Sequence, residues 1–291
     1  MNAQSWLGKM QEKDAQVPST SHGKKRNTVA IVTAGAMISV MIVAWLTTFL
    51  LMNSMMMNPA METGKFTLPI LSMASIFTLA DASGISFFLS IWILGMVAMM
   101  FPAMIPVVSM YVTSVAKSDA RSDAVRALGV PLFLGGYLLT YAVLGVAVYA
   151  LIYLAFNLAA LIPALAAYAL PAASGILFAT GIWQITPLKD RCLSKCVSPL
   201  GFFLLHGRKG LAGAFRMGAE HGYYCVGCCW MYMLVMLAVA AMSIPSMVLL
   251  ASLITVEKAI VHGAMWFKWA SAAIFITLGA AIILVPQLFI P

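Results

Sequence analysis

All five cysteines of the chain fall between Cys192 and Cys229, in two runs. These are Cys192-Leu-Ser-Lys-Cys196 and His221-Gly-Tyr-Tyr-Cys225-Val-Gly-Cys228-Cys229. Thiolates and imidazole are the usual ligands of soft and borderline metal ions. Cys192, Cys196, His221, Cys225, Cys228 and Cys229 therefore read as a metal-ligating set. On a helix each residue advances about 100°, which puts 221, 225, 228 and 229 on one face with Met217 beside them. Neighbours at i, i+3 and i, i+4 are close enough to share an ion. A straight helix cannot turn all of them onto one ion, and Cys228 and Cys229 diverge. The expected geometry takes two or three of these side chains plus Cys192 or Cys196 folding back. Two plainer readings compete: free cysteines as small buried hydrophobes, and Cys225-x-x-Cys228 as a redox pair. Five thiols in one window beside a histidine favour metal, and no thioredoxin-like βαβ pattern surrounds the pair.

The second soft donor is methionine, of which there are 22. One group is Met52, Met55, Met56, Met57 and Met61; the other is Met96, Met99, Met100 and Met104, interrupted by Pro102 and Pro106. Thioethers suit Cu(I) and do little for Zn(II). They also persist where thiols would oxidise. Methionine is equally a packing residue, so both groups are secondary ligand candidates. Acids and amides near the thiols supply outer partners for the ligands. The favoured reading of Glu257 is an interfacial pair with Lys258; the sharper one has Glu220 or Glu257 orienting His221, with Gln184 as a further outer partner.

The elements that must position these residues are membrane helices. The chain is 63% apolar and 9% charged, with a mean hydropathy of +0.97; soluble domains carry about 25% charged residues. Seven apolar runs approach the ~20 residues needed to cross a bilayer: 28–52, 85–111, 128–156, 169–187, 221–242, 245–261 and 268–288. They are apolar all round, which excludes the alternation of β-barrel strands. Residues 157–186 read either as one long helix or as an interfacial piece, Leu158–Leu170, before a span from Pro171.

Of the 17 Lys and Arg residues, all but Lys65 fall on one side of this seven-helix arrangement. The positive-inside rule then puts the N-terminus in the cytoplasm and the C-terminus outside. The expected fold is an all-α polytopic membrane bundle: a polar cytoplasmic tail, 1–27, and one transmembrane domain, 28–291. An outer Met-rich loop, 53–84, and a cytoplasmic Cys-containing loop, 188–220, complete it. No secretory signal is expected, and the net charge of +8 follows the topology instead of marking a nucleic-acid surface.

Three stretches carry a family resemblance: Gly181-Ile-Trp-Gln184 through Pro199, Gly218 through Trp230, and Ala98-Met-Met-Phe-Pro102-Ala-Met104-Ile-Pro106, with the Glu257-Lys258 pair. Together they resemble a family described as predicted metal-binding integral membrane proteins, some labelled copper chaperone. The likeness runs from about 90 to 285, and the cysteine motifs are its specific part. It implies a membrane-embedded metal site, with copper as the ion.

The leading expectation is a non-enzymatic Cu(I) handler in a bacterial or archaeal cytoplasmic membrane. Outer methionines would gather the ion and inner thiols would hold it. Partners would be the lipid bilayer and a membrane cuproenzyme or a soluble copper carrier. A structural zinc or copper staple in a membrane scaffold is the alternative, and a thiol oxidoreductase the third. No Ser-His-Asp logic, phosphate-binding glycine loop or nucleotide motif is present.

Overall fold

The computed structural model describes residues 21–56, 82–115, 123–162, 168–239, 243–261 and 264–285. Among them every regular element is helical. In chain order the helices are α1 (Ser21–Met56), α2 (Ala82–Met110), α3 (Asp123–Leu161) and α4 (Ala169–Gln184). They continue with α5 (Pro187–Val197), α6 (Pro199–His206), α7 (Gly210–Ala238), α8 (Ile244–Thr255) and α9 (Met265–Leu284). Two π-helical turns extend α2 and α8, over Tyr111–Val115 and Val256–Ile260.

Four helices hold stretches long and apolar enough to cross a bilayer: Thr28–Leu51, Gly84–Thr113, Leu128–Ala155 and Met265–Leu284. The other three expected spans coincide with α4, α7 and α8. Of these, α4 has 16 residues and α8 has 12 before its π turn, fewer than the ~20 of a full crossing. Large apolar side chains cover the outside of the bundle, Ile31, Leu151, Leu249 and Leu284 among them. That much exposed hydrocarbon fits a lipid surround better than water.

The stretch 188–220, expected as a loop, is mostly helix. Two capping signals explain it. Thr186 accepts from the Lys189 backbone N–H at 3.4 Å, with Pro187 at the first helical position, and this starts α5. Ser198 does the same for Gly201, with Pro199 in place, and starts α6. A capping hydroxyl before a proline satisfies an orphan donor and uses a residue that has none. α7 then begins at Gly210, not at 221. Residues 211–220 favour helix by composition, and Arg216 and Glu220 pair at i, i+4, 3.5 Å apart. Hydropathy marks where a helix enters an apolar phase, not where it starts. Likewise residues 158–161 continue α3, so the expected interfacial piece does not start a separate helix.

α2 lies centrally, against α1, α3, α6 and α8, and buries Trp92, Met96, Met99, Met100 and Met104. The crossing of α3 and α7 depends on glycine. A Cβ at Gly136 would lie 2.0 Å from the Phe215 carbonyl oxygen, and one at Gly218 would lie 1.8 Å from that of Phe133. Neither atom fits, so only glycine lets the two backbones meet, as small residues do where membrane helices cross. Thr140 closes the crossing by donating to the Ala219 carbonyl at 3.1 Å. A second pair, α4 and α9, is tied by Ser174, whose hydroxyl donates to the Gly279 carbonyl at 2.8 Å.

Candidate metal centre

The glycine crossing brings the tyrosines of α3 onto the cysteines of α7. Tyr137 Oη lies 3.3 Å from Cys225 Sγ, and Tyr141 Oη lies 3.7 Å from Cys229 Sγ. The two hydroxyls are 3.4 Å apart. Tyr141 is fixed from behind by Trp92, whose indole N–H donates to the Tyr141 carbonyl at 2.9 Å. Cys228 and Cys229 both turn back on their own helix, donating to the Cys225 carbonyl at 3.1 and 2.8 Å.

α5 supplies the cysteine from outside α7. Its buried face is Lys189, Leu193 and Cys196, a spacing of one and two helical turns. Cys196 Sγ lies 3.8 Å from Cys228 Sγ. Cys192 is half-buried and approaches α7 where Gly227 leaves room; a Cβ there would come within 2.8 Å of the Cys192 sulfur. The loop thiols thus fold back onto the helix. All five cysteines are free thiols. Burial and the neighbouring Cys228 push the Cys192 thiol above its usual range. Hydrogen bonds with Cys225 and Cys228, together with burial, hold Cys196 well above it.

The cation beside the thiols is the lysine that the sequence paired with Glu257 at the end of the sixth apolar run. Lys258 is buried and donates to Cys225 Sγ at 2.9 Å. Its neighbour Glu257 does not pair with it. Glu257 instead receives the ammonium of Lys189, and both residues are buried. Lys189 also donates to Gln184 Oε1. The Tyr232 hydroxyl sits between the acceptors, 3.0 Å from Gln184 Oε1 and 3.2 Å from Glu257 Oε2. Gln184 Nε2 has no hydrogen-bond partner among the described residues. The expected interfacial Glu257–Lys258 pair is thus replaced by two separate buried contacts, because adjacent side chains on a helical stretch do not face each other and these two meet different partners, Lys189 and Cys225.

Among the described residues no hydrogen bond joins His221 to a thiol. Its ring packs edge-on against Phe202 with centroids 5.0 Å apart, and tilted against Tyr137 at 6.2 Å. Its Nδ1 is buried with no partner among the described residues. Neither acid named as its orienting group is bonded to it: Glu220 pairs with Arg208 at 2.9 Å and with Arg216. The α2 methionines are buried in the core. Met55 and Met56 end α1, but their side chains, like Met57 and Met61 entirely, lie outside the described residues.

Chemically, the arrangement is a buried thiol cluster from two helices, with a phenol on each of two sulfurs and one ammonium. Among the described residues no group of three or more His, Cys, Asp and Glu side chains is disposed to hold a metal ion. The donor chemistry still fits a soft ion, since a sulfur pair 3.8 Å apart matches the edge of a tetrahedron with metal–sulfur bonds of about 2.3 Å. Sequence reasoning missed Lys189, Tyr137, Tyr141 and Tyr232, and gave Lys258 a different partner. A lysine beside a proline-capped helix was the available signal for Lys189.

Comparison with curated proteins found no match, and comparison with solved structures found none. A family profile matches most of the chain. Residues 89–282, which contain every thiol and the lysines and tyrosines around them, place the chain in the PpoB2 family, described as a copper chaperone.

Proposed function

We propose that the protein is an integral membrane copper handler that holds Cu(I) as cargo on its thiol cluster and passes it to a membrane cuproenzyme or receives it from a soluble carrier. The observation that carries this reading is the contact of Cys196 with Cys228 across two helices, 3.8 Å apart, within a cluster of buried free thiols. Cys196, Cys225, Cys228 and Cys229 are the proposed ligands, with Cys192 at the entrance and His221 behind the aromatic wall. Soft sulfur donors select Cu(I). Lys258 offsets the negative charge that a thiolate-bound monovalent ion carries, because a buried charge needs a partner. The α2 methionines Met96, Met99, Met100 and Met104 are the proposed transit ligands, with Met55, Met56, Met57 and Met61 as the outer collectors.

The proposed topology is seven spans, with α1, α2, α3, α4, α7, α8 and α9 crossing and α5 and α6 on the cytoplasmic side. The N-terminus is then cytoplasmic and the C-terminus outside. The distribution of Lys and Arg supports this orientation. Such a placement keeps the thiols on the reducing side, where they stay available to an ion.

The test is metal content per mole of purified protein under reducing conditions, with Cu(I) added and removed. Stoichiometric Cu(I) that is lost in a folded C225S/C228S variant supports the handler. A wild-type protein that takes up no Cu(I) overturns it. A variant that loses its fold along with its metal transfers the cluster to a structural role.

A further inference from the structure

Three segments meet at the thiols, and three contacts join them into a closed ring. The first joins α5 to the π turn after α8, through Lys189 and Glu257. The second joins that turn to α7, through Lys258 and Cys225 at 2.9 Å. The third returns from α7 to α5, through Cys228 and Cys196 at 3.8 Å. Each segment contributes two residues. On α5 these are the two ends of one buried face, Lys189 and Cys196. On the π turn they are adjacent, Glu257 and Lys258.

We propose that the Lys189–Glu257 ion pair is a positioning device for the thiol site: it fixes the distance between Cys196 and Cys228 and so sets how tightly the cluster retains its cargo. The part concerning cargo rests on the copper reading; the part concerning position does not. Several observations support the assignment. Lys189 and Glu257 are among the least exposed residues of the chain, at 0% and 1%. A charge pair buried that deeply gives little net stability, and its removal as a pair in favour of apolar groups is often neutral. What such a pair does supply is a fixed relation between the segments that carry it. The surroundings strengthen the hold. Tyr232 bridges Gln184 and Glu257, and the Lys189 ammonium also lies 5.1 Å from the centre of the Tyr232 ring. α4, α5, α7 and the π turn are thereby gathered on one knot of polar atoms. α5 has only 11 residues, so a shift of its first turn is carried to Cys196, two turns on. No metal ligand is part of the knot, yet both segments leaving it end on the thiols.

The experiment has two readouts on wild type, K189M/E257M and Y232F. The first needs no copper: the rate at which diamide joins Cys196 to Cys228 in detergent-purified protein, followed by mass spectrometry of the linked peptides. The proposal expects K189M/E257M to keep its helical circular dichroism and elution volume while the linkage slows at least tenfold. Y232F, which leaves both charges paired, should slow it by a smaller factor. The second readout is the rate of Cu(I) transfer from loaded protein to a chromogenic chelator. Both variants should release faster than wild type, and neither should add anything in a C196S background. Folded variants that link Cys196 to Cys228 at the wild-type rate overturn the positioning role. Should K189M/E257M not fold, Y232F alone decides between these outcomes. A wild-type protein that takes no Cu(I) overturns the copper reading instead, and the linkage rates still judge the ring.

Discussion

The Lys258 ammonium lies 2.9 Å from the Cys225 sulfur, and the next residue back, Glu257, holds a different lysine from a different helix. A resident cation at the most highly bonded thiol decides what the cluster tolerates. A thiolate there is compensated; a second positive charge must bring its own.

Replacing Lys258 by methionine keeps most of the unbranched stem and removes the ammonium. A hydrogen bond to a charged group contributes about 1.5–3 kcal/mol, so K258M should weaken Cu(I) binding by roughly one to two orders of magnitude. Competition against a Cu(I) chelator of known affinity measures this. An unchanged affinity would remove Lys258 from the site.

Affinity for Cu(I) should rise with pH. Cys192 and Cys196 are held above the usual thiol range by burial and by their sulfur neighbours. They carry protons at neutral pH, and ligation must displace them. With the bound state deprotonated and the free state protonated, each displaced proton gives about a tenfold gain per pH unit. Titrations between pH 6 and pH 8 should show that slope, and C196S should reduce it. A flat profile would mean that Cys196 does not ligate.

The crossing of α3 and α7 offers a paired test. G136A adds a methyl group where a backbone oxygen already lies 2.0 Å away. Overpacking of this kind costs about 1–3 kcal/mol, so thermal stability in detergent should fall by several degrees. G135A, one residue earlier, meets nothing within 4 Å and should be neutral or stabilising, since alanine favours helix over glycine by up to ~1 kcal/mol. Equal effects of the two would count against the close approach.

Thiol labelling separates Cys192 from the rest. It is half-buried, whereas the other four are buried, so a hydrophilic maleimide should modify Cys192 first. T186A removes the side-chain cap of α5. Loss of such a cap costs about 1 kcal/mol, which should speed labelling of Cys192 and Cys196 several-fold by loosening the helix. The same reagent, applied from one face of sealed vesicles, reports which side α5 occupies.

Much of this was legible in the residues. The helical class followed from composition, and the convergence of the two cysteine runs followed from their spacing together with the limits of one straight helix. Cys196 does lie against Cys228, while ligation by the pair is a proposal. The partners of the acids were not legible. Glu257 and Lys258 are adjacent in sequence, and an adjacent acid and base read as a pair at the membrane surface. The inference fails because consecutive side chains on a helix do not face each other, and the partners they meet instead, Lys189 and Cys225, come from distant parts of the chain. Thr186-Pro187 and Ser198-Pro199 did announce α5 and α6, but a search for apolar runs passes over short polar helices. His221 fits the ligand spacing on α7, yet its aromatic surroundings come from α3 and α6, which no local pattern ties to it.

α1 touches the bundle along a narrow line. Met37, Ala44 and Thr48 are buried, while Ile31, Val32, Val43 and Leu50 point outward. Its neighbours are α2 and the π turn that follows α2. No thiol, lysine or tyrosine of the cluster depends on it directly. α2 and α7 are each braced on several sides; α1 leans on the others like an outrigger. It is the least buried of the four helices long and apolar enough to cross a bilayer, so substitutions on its outward face leave the packing around the thiols untouched.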